Sequence, residues 1–133
     1  SIGLEGVPLI ISFLLFCALI NLFIASASAK WAILSAVFVP MFMLMGISPE
    51  TTQVVYRVGD SVSNIVTPLL PYFPIVLAVA KQYSPEITLG KFISLLAPYS
   101  IALFIVWGIF LVAWLLFEIP LGPGSSQYYQ LIK

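Results

Sequence analysis

The sequence predicts an all-α integral membrane protein, and three observations carry that expectation. Hydrophobic residues fill 62% of the 133 positions and charged residues 8%, against roughly 45–50% and about 25% in soluble domains. Five basic and five acidic side chains cannot give a chain of this length a polar skin. Uninterrupted apolar runs of helical length recur along the chain. Its polar residues gather instead in a few short stretches, above all RVGDSVSNIVTPLLPYFP at 57–74. The expected architecture is a re-entrant helical hairpin over 1–47, a broken transmembrane helix over 48–83 and a final transmembrane helix over 92–118.

The hairpin comes first. GVPLIISFLLFCALINLFIA at 6–25 is 20 residues without a charge, enough for about 30 Å of helix. The next run, WAILSAVFVPMFMLMG at 31–46, has 16 residues, about 24 Å, which is short for a spanning helix. Only SASAK separates the two. The economical reading is a hairpin that enters and leaves on one side, its tip at 26–31 within the bilayer thickness, where irregular backbone is tolerated only against protein or a cavity. Apolar sequence almost from Ser1, with no basic stretch or small-residue cleavage site, is unlike a signal peptide, and the chain reads as part of a longer one.

SPET at 48–51 is a helix start, with Ser48 as N-cap, Pro49 at the first helical position and Glu50 near the positive end of the helix dipole. Pro68 disfavours helical geometry at Thr67, and Pro71 and Pro74 each lack an N–H, so the helix is expected to break at 66–74. It resumes in PIVLAVAKQY. SPEITLGK at 84–91 is a polar connection. The run at 92–117 is a plain spanning helix, kinked near Pro98, with Trp107 and Trp114 as packing or interface anchors. Residues 119–133 read as a polar surface tail.

Composition also excludes chemistry. The chain has no histidine, one cysteine and one aspartate, so it holds neither a Cys/His metal cluster nor the residue pairs of an intramembrane protease. An enzyme is not expected, nor a cofactor. A net charge of zero offers no footprint for nucleic acid.

The polar stretch reads as a transport site. Steps of three and four residues put Arg57, Asp60, Ser61, Asn64 and Thr67 on one helical face. A charge at the bilayer centre costs about 2.5–3.5 kcal/mol on insertion scales, so that face is expected to meet protein or a water-filled cavity. The plainer alternative is an i, i+3 pair of Arg57 with Asp60 that locks the helix to a neighbour. A pair alone leaves Ser61, Asn64 and the break unexplained. Broken helices present unpaired carbonyls that suit a cation and unpaired N–H groups that suit an anion. Asp60, Asn64 and Thr67 are therefore read as coupling-cation residues. Ser26, Ser28, Lys30 and Arg57 are read as binding an acidic substrate, although serines at a hairpin tip also permit close helix packing.

SASAKW at 26–31, GISPE at 46–50 and YRVGDSVSNIVTPLLPYFP at 56–74 closely resemble the C-terminal part of the p-aminobenzoyl-glutamate transporter family, AbgT. The resemblance runs on to PLGPG at 120–124. It implies a homodimeric secondary transporter of the bacterial inner membrane, multi-pass in its lipid bilayer, built from two inverted repeats of which this is the second. It implies cation-coupled transport of p-aminobenzoyl-glutamate or export of sulfonamide antimetabolites, with a sodium ion or proton as coupling ion. The first repeat is then the partner this chain lacks. By motif match it implies transport roles for Ser28, Trp31, Pro49, Arg57, Asp60 and Pro68. A related dicarboxylate or anion carrier and a purely structural membrane subunit are the competing readings.

Lys81 and Lys91 flank the short connection and favour the cytoplasm for it. Ser1, Glu50 and Lys133 are then outside. Single-cysteine labelling checks this: a cysteine at Ser84 is expected to react only from the inner face, and one at Glu50 only from the outer.

Overall fold

A computed structural model of the chain describes residues 3–130, in which five α-helices and one 3₁₀ turn follow one another without a sheet: α1 (Gly3–Ile20), α2 (Ala27–Leu44), α3 (Pro49–Val62), the 3₁₀ turn (Asn64–Val66), α4 (Phe73–Tyr83) and α5 (Leu89–Leu116). The expectations placed on Ser1 and Lys133 lie outside the described residues.

α1 and α2 are joined by a tight reversal. The reversal is earlier than expected, at 21–26 rather than 26–31, because Ser26 rather than Trp31 marks the start of α2. The Ser26 hydroxyl accepts from the Ala29 N–H at 3.3 Å, the arrangement of an N-cap. Ala27–Lys30 therefore form the first turn of α2, and α1 and α2 have 18 residues each, about 27 Å. The second arm is not the short one. Phe13 meets Phe42 and Phe16 meets Phe38, an order that runs oppositely along the two helices. These aromatic contacts, rather than close backbone approach, hold the arms together.

α3 begins as the sequence implies, with Pro49 at its start and the Ser48 hydroxyl accepting from the Thr51 N–H at 3.1 Å. Its apolar residues lie against α1: Ile10, Leu14 and Cys17 face Val55 and Tyr56 in one buried cluster. Gly59 sets how close the two helices come. A Cβ there would sit 2.7 Å from the Leu14 carbonyl oxygen and 2.8 Å from the Cys17 Cβ. Such small-residue contacts supply dispersion where water expulsion is not the driving force.

The break opens sooner than expected. α3 ends at Val62, and the backbone passes through a 3₁₀ turn to an extended Thr67 (ψ 109°) before resuming as α4 at Phe73. The extended Thr67 follows from Pro68, whose ring excludes helical geometry at the preceding residue. The earlier loss of α-helix, at Ser63, is where side chains take over the carbonyls. α3 has 14 residues and α4 has 11, so neither half alone covers a hydrocarbon core of about 30 Å.

α5 starts at Leu89, capped by Thr88, so the connection is 84–88. It has 28 residues, about 42 Å. Along the spanning windows of α2 and α5 only 17% and 11% of positions are buried. These are not the sheltered central helices of a soluble fold. Ile101, Ile105 and Ile109 all point outward from α5, where lipid is their natural neighbour.

The tail is not a free surface extension. Gln127 is buried, and its carbonyl accepts from the Ser48 N–H and the Thr51 hydroxyl, both at 3.1 Å. The Tyr129 N–H donates to the Gly46 carbonyl at 2.9 Å, beside an antiparallel bridge between Ile47 and Tyr128. Gly46, at φ 81°, makes the corner that receives it.

Gly59→Ala is expected to destabilise the full-length protein by about 1–3 kcal/mol through overpacking against α1. Gly90→Ala, at a position with open space around it, is the control. Thermal unfolding in detergent separates them.

Candidate functional site

Three helix ends converge on Asn21, which is fully buried just past the end of α1. Its side-chain nitrogen donates toward the Asp60 carbonyl at 2.8 Å, the Ser63 hydroxyl at 3.0 Å and the Asn64 side-chain oxygen at 2.8 Å. Two amide hydrogens serve three acceptors. Its side-chain oxygen accepts from Lys30 Nζ, and the same ammonium donates to Asp60 Oδ1. Lys30 and Asp60 form a buried ion pair, with side chains 1% and 7% exposed. The four glutamates are all exposed, so Asp60 is the one buried acid and Lys30 the one buried base among the described residues.

The break is stitched into this cluster. The Thr67 hydroxyl donates to the Ser63 carbonyl at 2.8 Å and lies 3.3 Å from the Asn21 carbonyl. The Ser100 hydroxyl of α5 donates to the Val62 carbonyl at 2.6 Å. The carbonyls expected to be free for a cation at the end of α3 are therefore engaged at Asp60, Val62 and Ser63. Side chains satisfy the orphan acceptors that the lost helical turn leaves behind.

The structure divides the expected polar face in two. Asp60, Asn64 and Thr67 turn toward Asn21 and Lys30. Arg57 and Ser61 turn outward with Gln53, one helical turn apart, along a cleft of about 420 Å³ that Val54, Val58 and Trp107 complete. The Arg57 side chain is 64% exposed, and its Nη1 stands 4.0 Å from Asp60 Oδ2. Asp60 is thus held by Lys30 rather than by the i, i+3 arginine of the plainer alternative. Lys30, grouped with the substrate-binding residues on sequence, lies instead with Asp60, Asn64 and Asn21.

At the hairpin, Ser26 caps α2 and Ser28 is exposed on its first turn. Trp31 stacks on Tyr56 at 4.9 Å, and the Tyr56 hydroxyl donates to the Ala27 carbonyl at 2.6 Å, tying the start of α2 to α3. Pro49 opens α3, and Pro68 is exposed in the break. Sequence reasoning overlooked Asn21, Tyr56 and Ser63. Asn21 carried a readable signal as the lone amide in the apolar run at 6–25.

This interrupted helix, seated against a helical hairpin, has known counterparts. The AbgT putative transporter family matches residues 1–129. The chain belongs to this family. It is 40% identical over 124 residues to the p-aminobenzoyl-glutamate transport protein of Escherichia coli (strain K12), an alignment covering 93% of this chain and 24% of that protein. Its fold is similar to that of the Alcanivorax borkumensis YdaH transporter, whose crystal structure has an unusual topology, with a TM-score of 0.86 and 52% identity over 92% of this chain and 26% of that one. It is also similar to Neisseria gonorrhoeae MtrF, of a class of antimetabolite efflux pumps, with a TM-score of 0.80 and 44% identity over 94% of this chain and 25% of that one. This AbgT chain spans about a quarter of the length of these relatives. The relatives are transporters rather than enzymes.

Asn21→Leu keeps the branched shape of the side chain but orphans the acceptors of Asp60, Ser63 and Asn64 and one contact of Lys30. It is expected to destabilise the full-length AbgT protein by about 1–3 kcal/mol. Thermal unfolding in detergent checks this, with Ser12→Ala as the exposed control.

Proposed function

We propose that this chain is the C-terminal part of a cation-coupled secondary transporter that moves p-aminobenzoyl-glutamate or related aromatic acids, sulfonamide antimetabolites among them. The observation that carries the reading is the division of labour on α3. Within one helical turn, Arg57 presents an exposed guanidinium to a cleft while Asp60 is withdrawn into a buried pair. A guanidinium matches a carboxylate in a two-bonded fork, and an aromatic wall such as Trp107 suits the ring of an aminobenzoyl group. Trp31, near the hairpin tip, with Ser26 at the N-cap of α2 and Ser28 on its first turn, completes the substrate side of this reading. Pro68 keeps the helix open at its break.

Coupling runs through Asp60, with Asn64 and Thr67 bonded into its surroundings and a sodium ion or a proton as the candidate coupling ion. In the complete protein, α1 and α2 act as a re-entrant hairpin and α3 with α4 as a broken spanning helix. They pair with an inverted first repeat in a homodimer of the bacterial inner membrane. The family match, the similarity to MtrF and YdaH and the apolar, outward-facing α5 support that setting. A helix lock between Arg57 and Asp60 has little support, because Arg57 is mostly exposed and Asp60 has another partner.

The test is transport of labelled p-aminobenzoyl-glutamate by the full-length protein in proteoliposomes. Arg57→Lys is expected to insert and fold yet to lose roughly 10- to 100-fold in apparent affinity, the worth of one charge-assisted contact. Asp60→Asn is expected to abolish gradient-driven accumulation while exchange across the membrane persists. Normal transport by Arg57→Asp with Asp60→Arg refutes the assignment of both residues.

A further inference from the structure

We propose that the Lys30 ammonium is a tethered cation seated where an alkali-metal ion would bind beside Asp60, and that it bars sodium from this place. The inference deepens the function proposed above and rests on that reading only for its link to coupling.

The geometry starts with Asn21. Its side-chain nitrogen faces three acceptors, so its oxygen is directed the other way, toward Lys30 Nζ. One oxygen of Asp60 reaches the same nitrogen. An amide oxygen and a carboxylate oxygen aimed at one buried point are the donors a hard cation takes. What stands at that point is an ammonium with three N–H donors and no need of a full coordination shell.

Charge then decides against a second occupant. Asp60 and Lys30 are the only buried acid and base among the described residues, and together they are neutral. Arg57 Nη1 adds positive charge 4.0 Å from the other carboxylate oxygen. A sodium ion entering beside them would leave a net positive charge in a medium that solvates it poorly. The residues present therefore do not fit a resident sodium ion. Residue 30 sets the ion specificity of the Asp60 site: with lysine there the site is blind to sodium, and without it the oxygens of Asp60 and Asn21 are left facing an open cation position. The hydroxyls of Ser63 and Thr67 belong to the same cluster.

The experiment uses the full-length protein in detergent, with binding of radioactive sodium and thermal unfolding in NaCl, KCl and choline chloride at equal ionic strength. The parent is expected to show no sodium binding that depends on Asp60 and the same Tm in all three salts. Lys30→Met is expected to gain saturable sodium binding, at least roughly tenfold tighter than the parent, and a Tm that rises with sodium alone. Both effects are expected to vanish when Asp60→Asn is added. Should Lys30→Met not fold, Lys30→Gln is read in the same way. Sodium binding by the parent that Asp60→Asn removes overturns the proposal, and so does a folded Lys30 variant that ignores sodium. If neither variant folds, the parent measurement decides alone. Failure of the parent to transport p-aminobenzoyl-glutamate in any salt refutes the function proposed above and leaves the sodium result standing.

Discussion

A charge withdrawn from water has to find its opposite nearby, and the convergence of three helix ends in this chain follows from that requirement. Removing one partner from a buried pair costs about 3–5 kcal/mol, so Lys30 and Asp60 hold the start of α2 and the last turn of α3 in register. Asn21 brings the end of α1 to the same place and fixes the orientation of both charges. None of this is reachable unless α3 lies very close to α1, and Gly59, one residue before Asp60, removes the side chain that would prevent it. The interruption of the helix after Val62 is part of the same solution. Ser63, Asn64 and Thr67 spend their hydrogen-bonding groups on the cluster rather than on continuing a helical surface.

Outside this polar knot the chain holds together differently. Aromatic contacts join α1 to α2, and Phe73 of α4 meets Phe92 of α5 edge to face at 5.4 Å. Such contacts contribute about 0.5–1.5 kcal/mol each beyond area burial. Few of them are enclosed, since most of α5 faces outward. A polar centre with loosely covered arms suits the transport cycle proposed for the complete protein.

Much of this was legible from residue order alone. The membrane class, the hairpin, the start of α3 and its interruption near Pro68 all follow from charge content, a serine–proline start and the steric rule for residues before proline. The hairpin tip was misplaced because SASAK reads as a linker, whereas Ser26 caps a helix whose first turn contains Lys30. The site was legible in membership more than in arrangement. Asp60, Asn64 and Thr67 were recognisable as one polar group, but spacing along a single helix cannot reveal a partner 30 residues earlier in the chain. The only partner that spacing offers Asp60 is Arg57, near in sequence; burial separates the two, and Lys30 takes the place. Asn21 was passed over because composition averages hide one amide among nineteen other residues of a 20-residue run.

The latch at the end of the chain has a consequence for how the molecule is made. Gln127 closes on Thr51 across 76 positions of sequence, and contacts of such separation form only after the intervening chain exists. In synthesis from the N-terminus, the corner at Gly46–Ser48 therefore emerges long before the tail segment that completes it. The Ser48 N–H and the Gly46 carbonyl remain open until α5 has been threaded and the chain has doubled back. The start of α3 is thus finished last, and the ribosome, by releasing residues near 127, sets the moment at which the segment carrying Arg57 and Asp60 becomes anchored at both ends.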